Sequence, residues 1–219
     1  IWREELEDTG RAERDLERIL EVDDRNETAA RQLAPIYREK QEWEKLREMY
    51  EVVLEHQDEI DERREIQLDL AELHADQLDA PQGAVRWYGE AYRESPSNDE
   101  LAARLEEAVE VSSSWGPLAD LYRDVLGDEL DEETENVLRL RLGRVLSHRL
   151  DHLDEALEQF EAILATRPDH LDALEEMENI YRRSERWDDL MDVYEQRLEL
   201  TDDPDAKVDI LQVMAEIAE

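Results

Sequence analysis

The chain has 219 residues, 41% of them charged and 40% hydrophobic, and its 63 acidic against 26 basic residues leave a formal charge of −37. That balance argues against nucleic-acid and anionic-membrane surfaces, which require a basic footprint, and the absence of cysteine removes disulfides, thiolate catalysis and cysteine-ligated zinc. Only 6 glycines and 6 prolines are present, too few for the turns of a β-sandwich or for a phosphate-binding α/β fold, so the composition predicts a nearly all-helical chain.

Read in chain order, the sequence repeats itself. Trp43, Leu46, Tyr50 and Leu54 recur as Trp115, Leu118, Tyr122 and Leu126, and again as Trp187, Leu190, Tyr194 and Leu198, each set 72 residues after the last. The same shift carries Ala12 to Ala84 to Ala156, and Leu33 to Leu105 to Met177, without a gap. Within each unit apolar residues are spaced by three and four, as one face of a helix requires. In the middle unit this spacing predicts helices at about residues 61–78, 81–95, 98–111 and 115–127, joined by loops of two to four residues. Asn26, Asn98 and His170 share one phase, that of a helix N-cap. Asp58 to Asp61, Asp131 to Glu133 and Asp202 to Asp205 sit at another helix start, where acid favours the positive end of the helix dipole.

Four helices per 72 residues make two hairpins of about 36 residues, close to the tetratricopeptide period. Ala84, Tyr88, Ala91 and Pro96 have the spacing of that family's second helix, and Ala156, Phe160, Ile163 and Pro168 repeat it. Leu70–Ala71 and Leu142–Gly143 resemble its first-helix Leu–Gly pair, although one extra residue separates them from Ala84 and Ala156. In the alternate hairpin Met177, Tyr181, Leu190 and Tyr194 keep the register, with Leu190 in place of a small residue. The resemblance implies an all-α, right-handed α-solenoid of about six tetratricopeptide-like hairpins, with residues 1–219 a single array cut from a longer one. It also implies a non-enzymatic protein–protein interaction scaffold. The alternative is a structural subunit or segment of a filament built by head-to-tail continuation of the solenoid.

Chemistry-bearing motifs are scarce, and the sequence predicts no catalytic, cofactor or metal residues. His148 and His152 stand four apart, but the helix should end near Leu150. Arg141, Arg144 and His148 form one stripe where the preceding unit has Asp69, Glu72 and Asp76. The stripe would receive an acidic peptide or a C-terminal carboxylate, or it would pair with carboxylates on adjacent helices. Trp43, Trp115 and Trp187 are expected in the core. Trp87, outside the repeat pattern, is expected half exposed, as a partner contact or as cover for aliphatic surface. Ile1, Trp2 and Leu6 read as the stub of a helix, and Val208, Leu211, Met214 and Ile217 as an apolar face that a following helix would cover. The expected partners are proteins or peptides, including further copies of this chain end to end, with no nucleic acid and no membrane insertion.

Overall fold

The computed structural model describes residues 2–218, with side chains from Gly10 onward. Its described residues form twelve α-helices and one π-helical turn, with no strand. The chain divides into two compact units. The first contains α1 (Trp2–Val22), α2 (Glu27–Lys40), α3 (Trp43–Glu55), α4 (Ile60–Asp76), α5 (Pro81–Arg93) and α6 (Asp99–Ser112). The second contains α7 (Trp115–Leu126), α8 (Glu132–Val145), the π-helical turn Leu146–Leu150, α9 (Leu153–Thr166), α10 (Leu171–Arg183), α11 (Trp187–Leu200) and α12 (Pro204–Ile217).

The repeat is visible in the backbone. Helices α3, α7 and α11 start 72 residues apart, as do α2, α6 and α10, then α4, α8 and α12, and finally α5 and α9. The middle-unit boundaries fall within two residues of those expected from the sequence. The shared N-cap phase is real: Asn26 Oδ1 accepts from the Ala29 amide at 3.0 Å, Asn98 Oδ1 from Leu101 at 3.0 Å, and His170 Nδ1 from Ala173 at 3.3 Å. Asp131 caps α8 through the Thr134 amide at 3.0 Å. Each cap satisfies an amide that the first helical turn leaves without a partner. Helix ends repeat as well, with Gln41, Ser113 and Glu185 in the left-handed region at φ 59°, 55° and 56°.

The extra residue between Leu142–Gly143 and Ala156 is absorbed at the end of the first helix. After Val145 the helix widens into the π turn, and the His152 amide reaches back six residues to the Leu146 carbonyl at 2.9 Å. In the first unit the Ala80 amide does the same to His74 at 3.0 Å, after Leu78 has bonded Leu73 at 3.1 Å. A residue is thereby inserted without losing the facing register of the two helices, as a π-bulge allows. Asp79 and Asp151 make the left-handed exits at φ 48° and 58°.

Hairpin α4–α5 packs through small residues, with Ala71, Ala84 and Ala91 wholly buried beneath Tyr88. In α8–α9 a Cβ on Gly143 would lie 2.4 Å from Phe160 Cε1, so the ring occupies the space a side chain would need. The α1 backbone departs from expectation. One continuous helix runs from Trp2 to Val22, where the sequence suggested the stub of a helix at the start. The position of Asp79 and Asp151 is held there by Glu7, a better helix former with less tolerance of left-handed backbone.

The three repeated tryptophans are not the buried core residues expected. Each is the first residue of its helix, Trp43 and Trp115 are half-buried, and Trp187 is 46% exposed. The end of the next first helix covers the first two. Gln77 lines a hollow with Trp43, and the Arg149 guanidinium lies 4.3 Å from the Trp115 ring centroid.

Candidate partner-binding surface

Helix α4 is flanked by two clefts in the first unit. The cleft between α2, α3 and α4 encloses about 490 Å³ and is lined by Arg31, Ala34, Pro35, Arg38, Tyr50, Val53 and Ile66. The cleft between α4, α5 and α6 encloses about 500 Å³. Pro81, Ala84, Tyr88 and Ala108 give it apolar surface, Val111 is 71% exposed beside it, and Glu72, Asp76, Arg104 and Glu107 supply charge.

The charged groups differ in how free they are. Arg38 donates to the Tyr50 hydroxyl and to Asp69 Oδ2 at 2.9 Å, latching α2 to α3 and α4. Burial, reinforced by the Asp69 charge, pushes the Tyr50 hydroxyl up to about 12. Arg104 donates to Glu72 Oε1 at 2.8 Å and Glu100 Oε1 at 3.0 Å. Burial and the nearby Glu72 charge raise Tyr88, so the phenol beneath that pair remains a neutral hydroxyl. Asp76 and Glu107 make no hydrogen bond or ion pair among the described residues. They are the carboxylates of this cleft open to a ligand.

In the second unit Arg144 and His148 are occupied by the chain's own acids. Arg144 donates through Nε to Glu176 Oε1 at 2.7 Å and through Nη2 to Asp172 Oδ2 at 3.2 Å. His148 Nε2 lies 3.0 Å from Glu176 Oε2, and Arg141 is not free either. This is the Glu72–Arg104–Glu100 arrangement with its central pair reversed. Glu72 becomes Arg144, Arg104 becomes Glu176, and Glu100 remains acidic as Asp172. The sequence flagged the basic half of the exchange but not Glu176, which is 7% exposed and lies 32 residues on. The signal was available at the repeat distance, where Arg104 turns into Glu.

Trp87 is 6% exposed, not half exposed, and the Arg86 guanidinium lies 4.5 Å from its ring centroid. Little of its surface is left for a partner. His148 and His152 face different carboxylates, His152 Nδ1 lying 3.2 Å from Glu155. The described residues contain no cluster of three His, Asp or Glu side chains able to hold a metal ion, and no helix long and apolar enough to cross a membrane. Of the expected end residues, Ile1 and the side chains of Trp2 and Leu6 lie outside the described residues. Val208 and Leu211 are each 50% exposed, and Met214 and Ile217 are half-buried.

Residues 173–207, covering most of α10, all of α11 and the start of α12, match the model of the tetratricopeptide repeat family. No curated protein matches the chain. Among solved structures, MamA is 17% identical over 77% of this chain and 94% of its own, with a TM-score of 0.46. YrrB, described as a TPR protein with an unusual peptide-binding site, is 16% identical over 90% of this chain and 97% of its own, also at 0.46. The Naa15/Naa10 complex bound to HypK-THB is 17% identical over 96% of this chain and 31% of that one, with a TM-score of 0.51, a likeness of fold alone. The family match falls on α10–α11, which has no inserted π residue and carries Met177, Tyr181, Leu190 and Tyr194. Residues 173–207 match a tetratricopeptide repeat, and the chain around them is a tandem series of helix hairpins.

Proposed function

We propose that this chain is a non-enzymatic protein–protein interaction scaffold, and that the cleft between α4, α5 and α6 receives a segment of a partner protein carrying a lysine or arginine beside an apolar side chain. The observation that carries this reading is the pairing of two unengaged carboxylates, Asp76 and Glu107, with the exposed Val111 and the floor of Ala84 and Tyr88. Two acids would fix the cation while the apolar floor takes up its neighbour, so that placed charge sets orientation and apolar contact adds affinity. The charge of −37 adds long-range attraction for a basic segment and should speed its arrival at low salt. The stripe of Arg144 and His148 has a structural role in this reading, joining α8 to α10 through Glu176.

Peptides selected from a displayed library against the whole chain test the proposal. Selected sequences should contain a basic residue next to an apolar one, and Asp76→Lys or Glu107→Lys should abolish their binding while the exposed Glu90→Lys leaves it intact. Binding that survives both cleft substitutions would overturn the assignment of this site.

A further inference from the structure

Two exposed helix faces in this chain occupy the repeat positions of two helices that pack on each other within it. Under the 72-residue repeat, α12 corresponds to α8, and the described part of α1, Gly10–Val22, corresponds to residues 154–166 of α9. The contact between α8 and α9 therefore serves as a template. There Asn136 Nδ2 donates to Thr166 Oγ1 at 3.2 Å, the Phe160 ring fills the space over Gly143, and Ala156 and Ile163 are wholly buried.

The end helices carry a matched set of replacements at these positions. Asn136 and Thr166 become Val208 and Val22, 50% and 90% exposed. The polar pair has turned apolar on both sides. Phe160 over Gly143 becomes Leu16 and Ala215, a smaller side chain facing a slightly larger one, as Tyr88 faces Ala71 in α4–α5. Ile163 becomes Ile19, 44% exposed, and Ala156 becomes the exposed Ala12. The opposite face of α1 is already in use, since Lys40 pairs with Glu13 and the Tyr37 hydroxyl donates to Glu17 at 3.1 Å. One position is not complementary: Leu211 falls opposite Asp15, where the template has Arg139 bonded to Gln159.

We propose that α12 of one molecule seats against α1 of a second copy, reproducing between molecules the contact of α8 with α9. The contact is heterologous, so each copy uses a different face toward each neighbour. Two chains of charge −37 repel, so association strengthens as salt screens them. The proposal is independent of the cleft reading and uses none of its residues.

Sedimentation of the 219-residue chain from micromolar to millimolar concentration in molar sodium chloride provides the test. The wild-type mass should rise with concentration. Val208→Glu blocks the α12 face and Ile19→Glu the α1 face, so each variant alone should remain monomeric with unchanged helical circular dichroism. An equal mixture of the two should form a heterodimer, because each retains the face the other has lost. A wild-type chain that remains monomeric, a mixture that remains monomeric, or an Ile19→Glu chain that associates as well as wild type would each overturn the proposal.

Discussion

Hairpins α2–α3 and α10–α11 lie two 72-residue units apart, share a latch and fill their centres with opposite chemistry. In each an arginine near the end of the first helix donates to a buried tyrosine hydroxyl of the second, Arg38 to Tyr50 and Arg182 to Tyr194. Beneath that latch the first hairpin has Ala34 and Val53, 8% and 4% exposed, and the other has Glu178 paired with Arg197 at the same positions. Glu178 also accepts from Arg182 and from the Tyr194 hydroxyl, which burial, followed by this bond, pushes up to about 12. A hairpin centre of this kind therefore tolerates an apolar pair or an ion pair. A single exchange would leave one charge in a half-buried site without its counterpart.

The largest expected effect breaks that pair. Glu178→Ala removes the acceptor of two guanidinium groups and one hydroxyl, and should cost about 3 kcal/mol in urea unfolding followed by circular dichroism. Adding Arg197→Val recreates the Ala34–Val53 arrangement and should recover all but about 1 kcal/mol. A double variant as unstable as the single one would mean that the two hairpins are not interchangeable at their centres.

Helix positions were legible because the repeat multiplies weak signals. Asn26, Asn98 and His170 mark the same cap three times, so a histidine could be read as an N-cap by its phase. Burial was less legible. The tryptophan phase identifies a helix start, but exposure there depends on a residue about 34 positions later, Gln77 or Arg149, which follows no repeated pattern. Trp87 was misjudged for a related reason. It replaces Asp15 and Gln159 of the other units, and a polar residue in two copies suggested an exposed site, whereas the position lies at the hairpin contact. Pairing of the Arg144 stripe with carboxylates on adjacent helices was one of the two readings the sequence offered, but Asp172 and Glu176 were not singled out, because they come from the following hairpin.

A smaller effect separates the two regular hairpins. Gly143→Ala places a Cβ 2.4 Å from the Phe160 ring and should cost about 1–3 kcal/mol by overpacking. Pairing it with Phe160→Leu makes room and should return part of that loss. Gly10→Ala, with nothing within 4 Å of its Cβ, should instead stabilise α1 by up to about 1 kcal/mol.

Acid should distinguish the first unit from the second. Burial, aided by the nearby Arg47 charge, holds His74 below its usual 6.5, and its Nδ1 has no hydrogen-bond partner. The unfolded chain therefore takes up this proton first, and the stability tied to neutral His74 is present above pH 6.5 and lost as pH falls through the depressed folded value. For Glu178, burial would raise the carboxyl, but the bonds from Tyr194 and Arg182 and the Arg197 charge outweigh it and lower the value from 4.5. Its contribution is present above pH 4.5 and lost only in stronger acid. Urea midpoints measured across this range should lose the upper step in His74→Leu and the lower one in Glu178→Gln.

The last comparison is between two of the tryptophans. A large-to-small change at a fully buried tryptophan costs about 3–5 kcal/mol, but none of the three repeated residues is fully buried. Trp115 is half-buried under Arg149, and its replacement by alanine removes both aromatic burial and the cation–π contact, for a loss of about 2 kcal/mol. Trp187 is 46% exposed, so Trp187→Ala should cost about 1 kcal/mol. If α12 docks on a second copy, the neighbour's α1 lies against α12, the helix that packs on the α11 begun by Trp187. The cost of Trp187→Ala should then increase with protein concentration, whereas that of Trp115→Ala should not.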